Sequence, residues 1–240
     1  MLVVVFLATL IRSAFGFGEA LVAVPLLAVR LPVTVAAPLA VMLSILVAGV
    51  VVIQDFGKVK VRVASWLVGA SLLGIPAGLA LLVVGNERLV KGLLACVIIS
   101  FAGWCLASRR AWRLETDRRG WMLAAGFVAG VLGGAYGMNG PPLVVYGAMR
   151  RWPPQEFRAT LQGYFLPASI LVLIGYAIAG LLGGQVLRLF VVSLPVALLA
   201  IFLGREVNRR LKGRVFLFAV YVGLIAIGGV LLAQAARTPR

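Results

Sequence analysis

Long apolar runs alternate with short polar breaks along the whole chain, and the alternation predicts eight helical segments. They are Leu2–Val29, Val33–Ile53, Val63–Val84, Leu89–Ala107, Gly120–Met149, Phe157–Leu182, Val186–Leu203 and Val215–Ala235. Roughly 20 apolar residues suffice for a helix to cross a hydrocarbon core. Strands are not viable in that setting, because open sheet edges leave backbone groups unsatisfied in lipid. The pattern predicts an all-α integral membrane protein.

The first and fifth segments break this regularity. The first contains Phe15-Gly16-Phe17-Gly18-Glu19, with Pro25 beyond it, and the fifth contains Gly133 through Pro142, including Gly137, Asn139, Gly140 and Pro141. Clustered glycines and paired prolines do not continue a helix. Two readings follow. Each segment is either a kinked helix that crosses once, or a hairpin of two half-helices that leaves on the side it entered.

The halves of the chain resemble each other. At an offset of 121, Gly16 falls on Gly137, Arg30 on Arg151 and Pro32 on Pro153; at 126, Gly78 falls on Gly204, Arg88 on Arg214 and Ala107 on Ala233. A duplicated four-segment unit is expected: residues 1–107 as the first transmembrane repeat, 108–119 as a basic cytoplasmic linker and 120–240 as the second repeat. Loop charges choose between the two readings of the breaks. If every segment crosses once, 11 basic residues fall on each side and no orientation results. If the fifth segment returns to its own side, the split becomes 16 to 6, with the heavy side cytoplasmic. By duplication the first segment does the same from outside. Three crossings per half then invert the second repeat relative to the first.

Composition agrees. Of 240 residues 62% are apolar and only 12% charged, against about a quarter charged in soluble domains. The net charge of +16 raises a nucleic-acid reading. However, the basic residues lie between apolar spans and form no stripe with interleaved aromatics, so the positive-inside bias accounts for them. No nucleic-acid partner is expected. The chain has no histidine, which removes the usual general base and metal ligand; neither cofactor nor metal is expected. Cys96 and Cys105, nine residues apart in one span, read as small apolar core residues. No basic stretch precedes the first apolar run, so a cleaved signal peptide is not expected.

The chemistry concentrates at the breaks. A half-helix ending inside the membrane offers free backbone N–H groups and about half a positive charge at its N-terminus. Glycines let an anion approach those amides. Gly16, Gly18, Gly137 and Gly140 therefore form a candidate anion cradle, with close helix packing as the competing reading. Gly74, Gly78, Gly126, Gly130 and Gly134 have small-xxx-small spacing and are assigned to packing. Asn139 can donate to an oxyanion, and Pro141 and Pro142 suit the first turn of a following half-helix. Tyr136, Thr160, Gln162 and Tyr164 are further donors at membrane depth. Glu19 is the only acidic residue within an apolar run. An ionised carboxylate there costs roughly 3 kcal/mol. It is a candidate for proton coupling, or else a structural group that caps the break or pairs with Arg12.

These residues also carry a resemblance. Gly16-Phe17-Gly18-Glu19-Ala20-Leu21-Val22-Ala23-Val24-Pro25-Leu26-Leu27, Gly137-Met138-Asn139-Gly140-Pro141-Pro142 and Glu156-Phe157-Arg158-Ala159-Thr160 resemble the sulfite exporter TauE/SafE family, the toluene-sulfonate uptake permease family. The likeness covers nearly the whole chain. It implies an integral-membrane permease for sulfite, organosulfonates or related small anions, built from two homologous halves. At Glu19 the chain departs from the glycine commonest in the family, which leaves the substrate open. The expectation is a multi-pass transporter of the bacterial inner membrane with a small anion as substrate. Protons are possible coupling partners, the bilayer is the solvent, and a homo-oligomer remains open. An anion channel or a non-transport subunit of a membrane complex is the alternative. An enzyme is not expected, because neither a nucleophile with its base nor paired intramembrane aspartates are present.

Overall fold

The computed structural model describes residues 1–55, 60–107, 119–150, 152, 154–210 and 214–237. Among these residues the chain forms helices joined by short connections, and no strand. In order they are α1 (Leu2–Phe15), α2 (Glu19–Ala28), α3 (Val33–Asp55), α4 (Val61–Val84), α5 (Glu87–Ala107), α6 (Arg119–Tyr136), α7 (Gly140–Met149), α8 (Pro154–Ile178), α9 (Gly184–Arg210) and α10 (Arg214–Arg237). Windows in α3, α4, α5, α8 and α9 are long and apolar enough to span a bilayer. The protein is a polytopic membrane protein. The linker expected at 108–119 lies outside the described residues except for Arg119, where α6 starts.

The first and fifth apolar runs are each split into two helices, at Gly16–Gly18 and at Gly137–Asn139. In each, the outer ends of the two arms share a cavity. Met1 and Val4 of the first arm line a space of about 340 Å³ together with Leu26, Leu27 and Arg30 at the end of the second. Trp121 and Ala124 near the start of α6 line a space of about 400 Å³ with Tyr146 and Met149 at the end of α7. The arms of each break therefore lie side by side.

Small residues set the tightest helix contacts. An added Cβ at Gly126 would come within 2.6 Å of the Leu67 carbonyl, and one at Gly130 within 2.8 Å of Ser71 Cα. Gly74 and Gly78 meet the α6 backbone at Phe127 and Val131 in the same way. The stripes read from sequence thus pack backbone on backbone, with α4 and α6 running in the same direction. Lipid tails are as apolar as leucine, so helix association depends on such close approach rather than on hydrophobic transfer. Ser71 adds a hydrogen bond, donating from Oγ to a backbone carbonyl in one of the flanking helices, with Gly126 O at 2.8 Å. Helix α1 packs on α9 in the same sense: Gly204 faces Ser13 and the Leu10 carbonyl, and Ser13 Oγ donates to Ile201 O at 2.8 Å. Helix α3 packs on α8 and α5 on α10. The α5–α10 pair is antiparallel, since Gly92 faces Ala235 while Phe101 meets Tyr221 edge-to-face at 6.2 Å.

The core reading of Cys96 needs correction, while Cys105 packs against the core. Cys96 is exposed and Cys105 is half-buried. The inward face of α5 is Val90, Leu94, Ile98 and Phe101, and Cys96 lies off that stripe. A position facing lipid is as apolar as one facing the core, so composition does not separate them.

Candidate functional site

The two breaks are built alike at the backbone. Gly16 ends α1 in the left-handed conformation at φ 83°, and its N–H donates to Arg12 O at 2.6 Å. Gly18, at φ 100°, is the residue before α2. The Gly18 carbonyl accepts from the Val22 N–H at 3.1 Å, so the amides of Glu19, Ala20 and Leu21 have no partner within the helix. In the second break Gly137 has φ 66° and donates to Gly133 O at 2.7 Å. Positive φ suits glycine at these turns. Gly137 is also closely packed, as an added Cβ would lie 2.7 Å from Val41 Cγ2.

The residues at the two helix starts face one another. Gly18, Glu19, Ala20 and Leu21 from the first break line a small cavity with Gly137, Met138, Asn139, Gly140 and Pro141 from the second. Arg12, Phe17, Ser44 and Phe165 close it. Its volume is about 20 Å³, which is room for one water-sized molecule. The positive ends of the α2 and α7 dipoles thus converge on one small space.

A buried charge pair sits there. Arg12 is 3% and Glu19 0% exposed. Arg12 Nη1 donates to Ser44 Oγ at 2.7 Å, and Nη2 reaches Ser44 O and Gln162 Oε1, each at 3.3 Å. The guanidinium carbon stands 4.9 Å from the Phe165 ring centre, a cation–π contact. Thr9 Oγ1 donates to Glu19 Oε1 at 2.9 Å. The ion pair itself is loose, with Arg12 Nε 3.6 Å from Glu19 Oε2. Neither of those two atoms makes a hydrogen bond, and the Asn139 side chain lies against Tyr164. Arg12 Nε and Glu19 Oε2, held only by that loose ion pair, therefore belong to residues that line the cavity together with Asn139. Buried polar groups are normally satisfied, so such a cluster calls for a ligand or a function.

Of the residues singled out from sequence, Gly18, Glu19, Gly137, Asn139 and Gly140 line the cavity. Gly16 and Gln162 stand behind it: Gln162 Nε2 donates to Gly16 O at 2.8 Å while its Oε1 accepts from Arg12. Tyr164 backs Asn139 and shares a 2.7 Å hydrogen bond with Ser71. Tyr136 donates to Val90 O at 3.0 Å, and Thr160 Oγ1 accepts the Lys60 N–H at 3.2 Å. Those two are engaged elsewhere and do not reach the cavity. The sequence marks Arg12 only as a possible partner for Glu19 and does not single out Ser44 or Phe165. For Arg12 the signal was present, since a lone arginine within an apolar run is as costly as a lone glutamate.

The described residues thus form a helical membrane protein with a small polar cavity between two helix N-termini. The chain belongs to the sulfite exporter TauE/SafE family, whose model matches residues 1–231. That is a family of membrane transporters of sulfur-containing anions. No curated protein and no solved structure gives a significant match.

Proposed function

We propose that the protein carries a small oxyanion, such as sulfite or an organosulfonate, across the bacterial inner membrane, binding it between the two breaks. The observation that carries this reading is the shared cavity lined by Arg12, whose Nε makes only a loose ion pair, and by Asn139. An anion there would receive charge-assisted hydrogen bonds from Arg12, an amide N–H bond from Asn139, and the first-turn amides of α2. The α7 end contributes fewer amides, because Pro141 and Pro142 have no N–H. The cavity is far too small for a sulfonate, so the arms of the breaks must part to admit one. A site that must widen to take its substrate suits a carrier better than a channel.

Glu19 gives this site its coupling. Substrate and Glu19 compete for Arg12, and two anions beside one cation are unfavourable in a low-dielectric site. Taking up a proton would release Glu19 from Arg12 as the anion arrives. With a negative interior, a dianion is driven outward by about 4.6 kcal/mol per 100 mV, so export needs no coupling whereas uptake does.

The same reading makes residues 1–107 and 120–240 inverted repeats, joined by the basic linker at 108–119, with the breaks re-entrant from opposite sides. Two observations support it. The α4–α6 pairing is matched by α9–α1, while α3–α8 and α5–α10 join equivalent helices of the two halves. The neighbouring arm ends described above are what re-entrant hairpins require. The test is a flux screen of small anions in liposomes of purified protein, with a set pH gradient. Saturable flux of sulfite or a sulfonate is expected; none for any oxyanion overturns the function. Outside labelling of a cysteine placed at Arg150, in a background lacking Cys96 and Cys105, would overturn the inverted topology.

A further inference from the structure

A second charged pocket lies away from the breaks, at the end of the bundle where α4 and α6 begin. Arg62, Val63 and Trp66 of α4 and Arg119 and Met122 of α6 enclose about 210 Å³ there. The two helices run in the same direction and are fixed backbone-to-backbone by their glycine stripes, so both arginines are presented from the same end of the pair. The Arg119 guanidinium stands over the Trp66 ring, 5.6 Å from its centre. Among the described residues no carboxylate pairs with Arg62 or Arg119. Both arginines are exposed.

We propose that this pocket binds the phosphate of an anionic phospholipid. Two guanidinium groups offer the paired donors that fit phosphate oxygens. The remaining walls, Trp66, Val63 and Met122, are apolar. A tryptophan at a helix end is the usual neighbour of a lipid headgroup, and basic pockets between membrane helices accept acidic headgroups. A soluble phosphate would use the arginines and leave the apolar walls without a partner, whereas a phospholipid uses both. The site is independent of anion transport and stands if that reading fails.

The test is native mass spectrometry of the purified full-length protein with dioleoyl phosphatidylglycerol, dioleoyl phosphatidylcholine or inorganic phosphate. The expected result is at least tenfold stronger retention of phosphatidylglycerol than of phosphatidylcholine, unaffected by millimolar phosphate. Arg62→Gln/Arg119→Gln should abolish the preference. Should that variant not purify, Arg62→Lys/Arg119→Lys decides, with several-fold weaker retention expected because the paired donors are lost. Equal retention of the two lipids, a variant that binds as wild type, or displacement by phosphate would each overturn the proposal, the last by assigning the pocket to a soluble anion.

Discussion

The two breaks share a backbone design and differ in what their side chains bring. Both turn on a left-handed glycine and start a short helix at the common cavity. The first brings charge: Arg12 and Glu19, with three first-turn amides that have no helix partner. The second brings none. It offers the neutral Asn139 and a proline pair that removes two amides. Under the proposed duplication, this difference separates the turn geometry that both breaks share from the charge that only one carries. Glycine geometry is required in both halves because the turn requires it. The charge is needed once, since a second buried pair would add desolvation cost without adding a binding point.

The largest effect should come from disturbing the charged break. Arg12→Gln leaves Glu19 buried without its counter-ion, which costs about 3–5 kcal/mol. A large fall in melting temperature and near-complete loss of flux are expected. A variant that melts like wild type would mean that the pair is not load-sharing and that Glu19 is already neutral.

Asn139→Ala probes the neutral break and should act more narrowly. It removes one donor to a charged ligand, worth about 1.5–3 kcal/mol. Half-saturation for the transported anion should rise tenfold or more. An unchanged half-saturation would take Asn139 out of the site and leave the second break a purely structural element.

Glu19→Gln keeps the shape of the charged break and removes its titration. Uptake driven by a pH gradient should collapse, while anion exchange at equal pH on both sides persists. Both fluxes are to be measured in one vesicle preparation. Full pH-driven transport in this variant rules Glu19 out as the proton carrier.

The smallest effects separate the two glycines of the second break. Gly137→Ala meets Val41 at 2.7 Å and a positive φ, and should lower stability by about 1–3 kcal/mol. At Gly140 an added Cβ makes an ordinary 3.7 Å contact with Phe165, so Gly140→Ala should melt within a few degrees of wild type. Thermal unfolding in detergent compares them, and equal losses would contradict the packing described here.

Much of this was legible in the sequence because lipid is a restrictive solvent. Apolar run length located the helices, and the glycine and proline clusters located both breaks. The Gly126, Gly130 and Gly134 stripe stated its own packing. The site was only half legible, for a physical reason. A polar residue in an apolar run announces that it needs a partner, but not which one. Tyr136 and Thr160 found backbone partners in α5 and at the start of α4. Asn139, with the same credentials, lines the cavity. Ser44 and Phe165 gave no sequence signal, because serine and phenylalanine are unremarkable in membrane helices. Only the fold brings them to Arg12.

The central claim is that the charge of the first break binds the transported anion. Replacing both members of the pair together by apolar residues of similar size, as Arg12→Met/Glu19→Leu, leaves no unpaired buried charge, and such paired apolar replacements are often close to neutral for stability. Flux of sulfite or a sulfonate through this variant in liposomes, measured beside its melting temperature, therefore reads the site apart from the fold. The account predicts a folded protein with flux at the level of empty vesicles. A folded protein that transports the anion at near wild-type rate would contradict it.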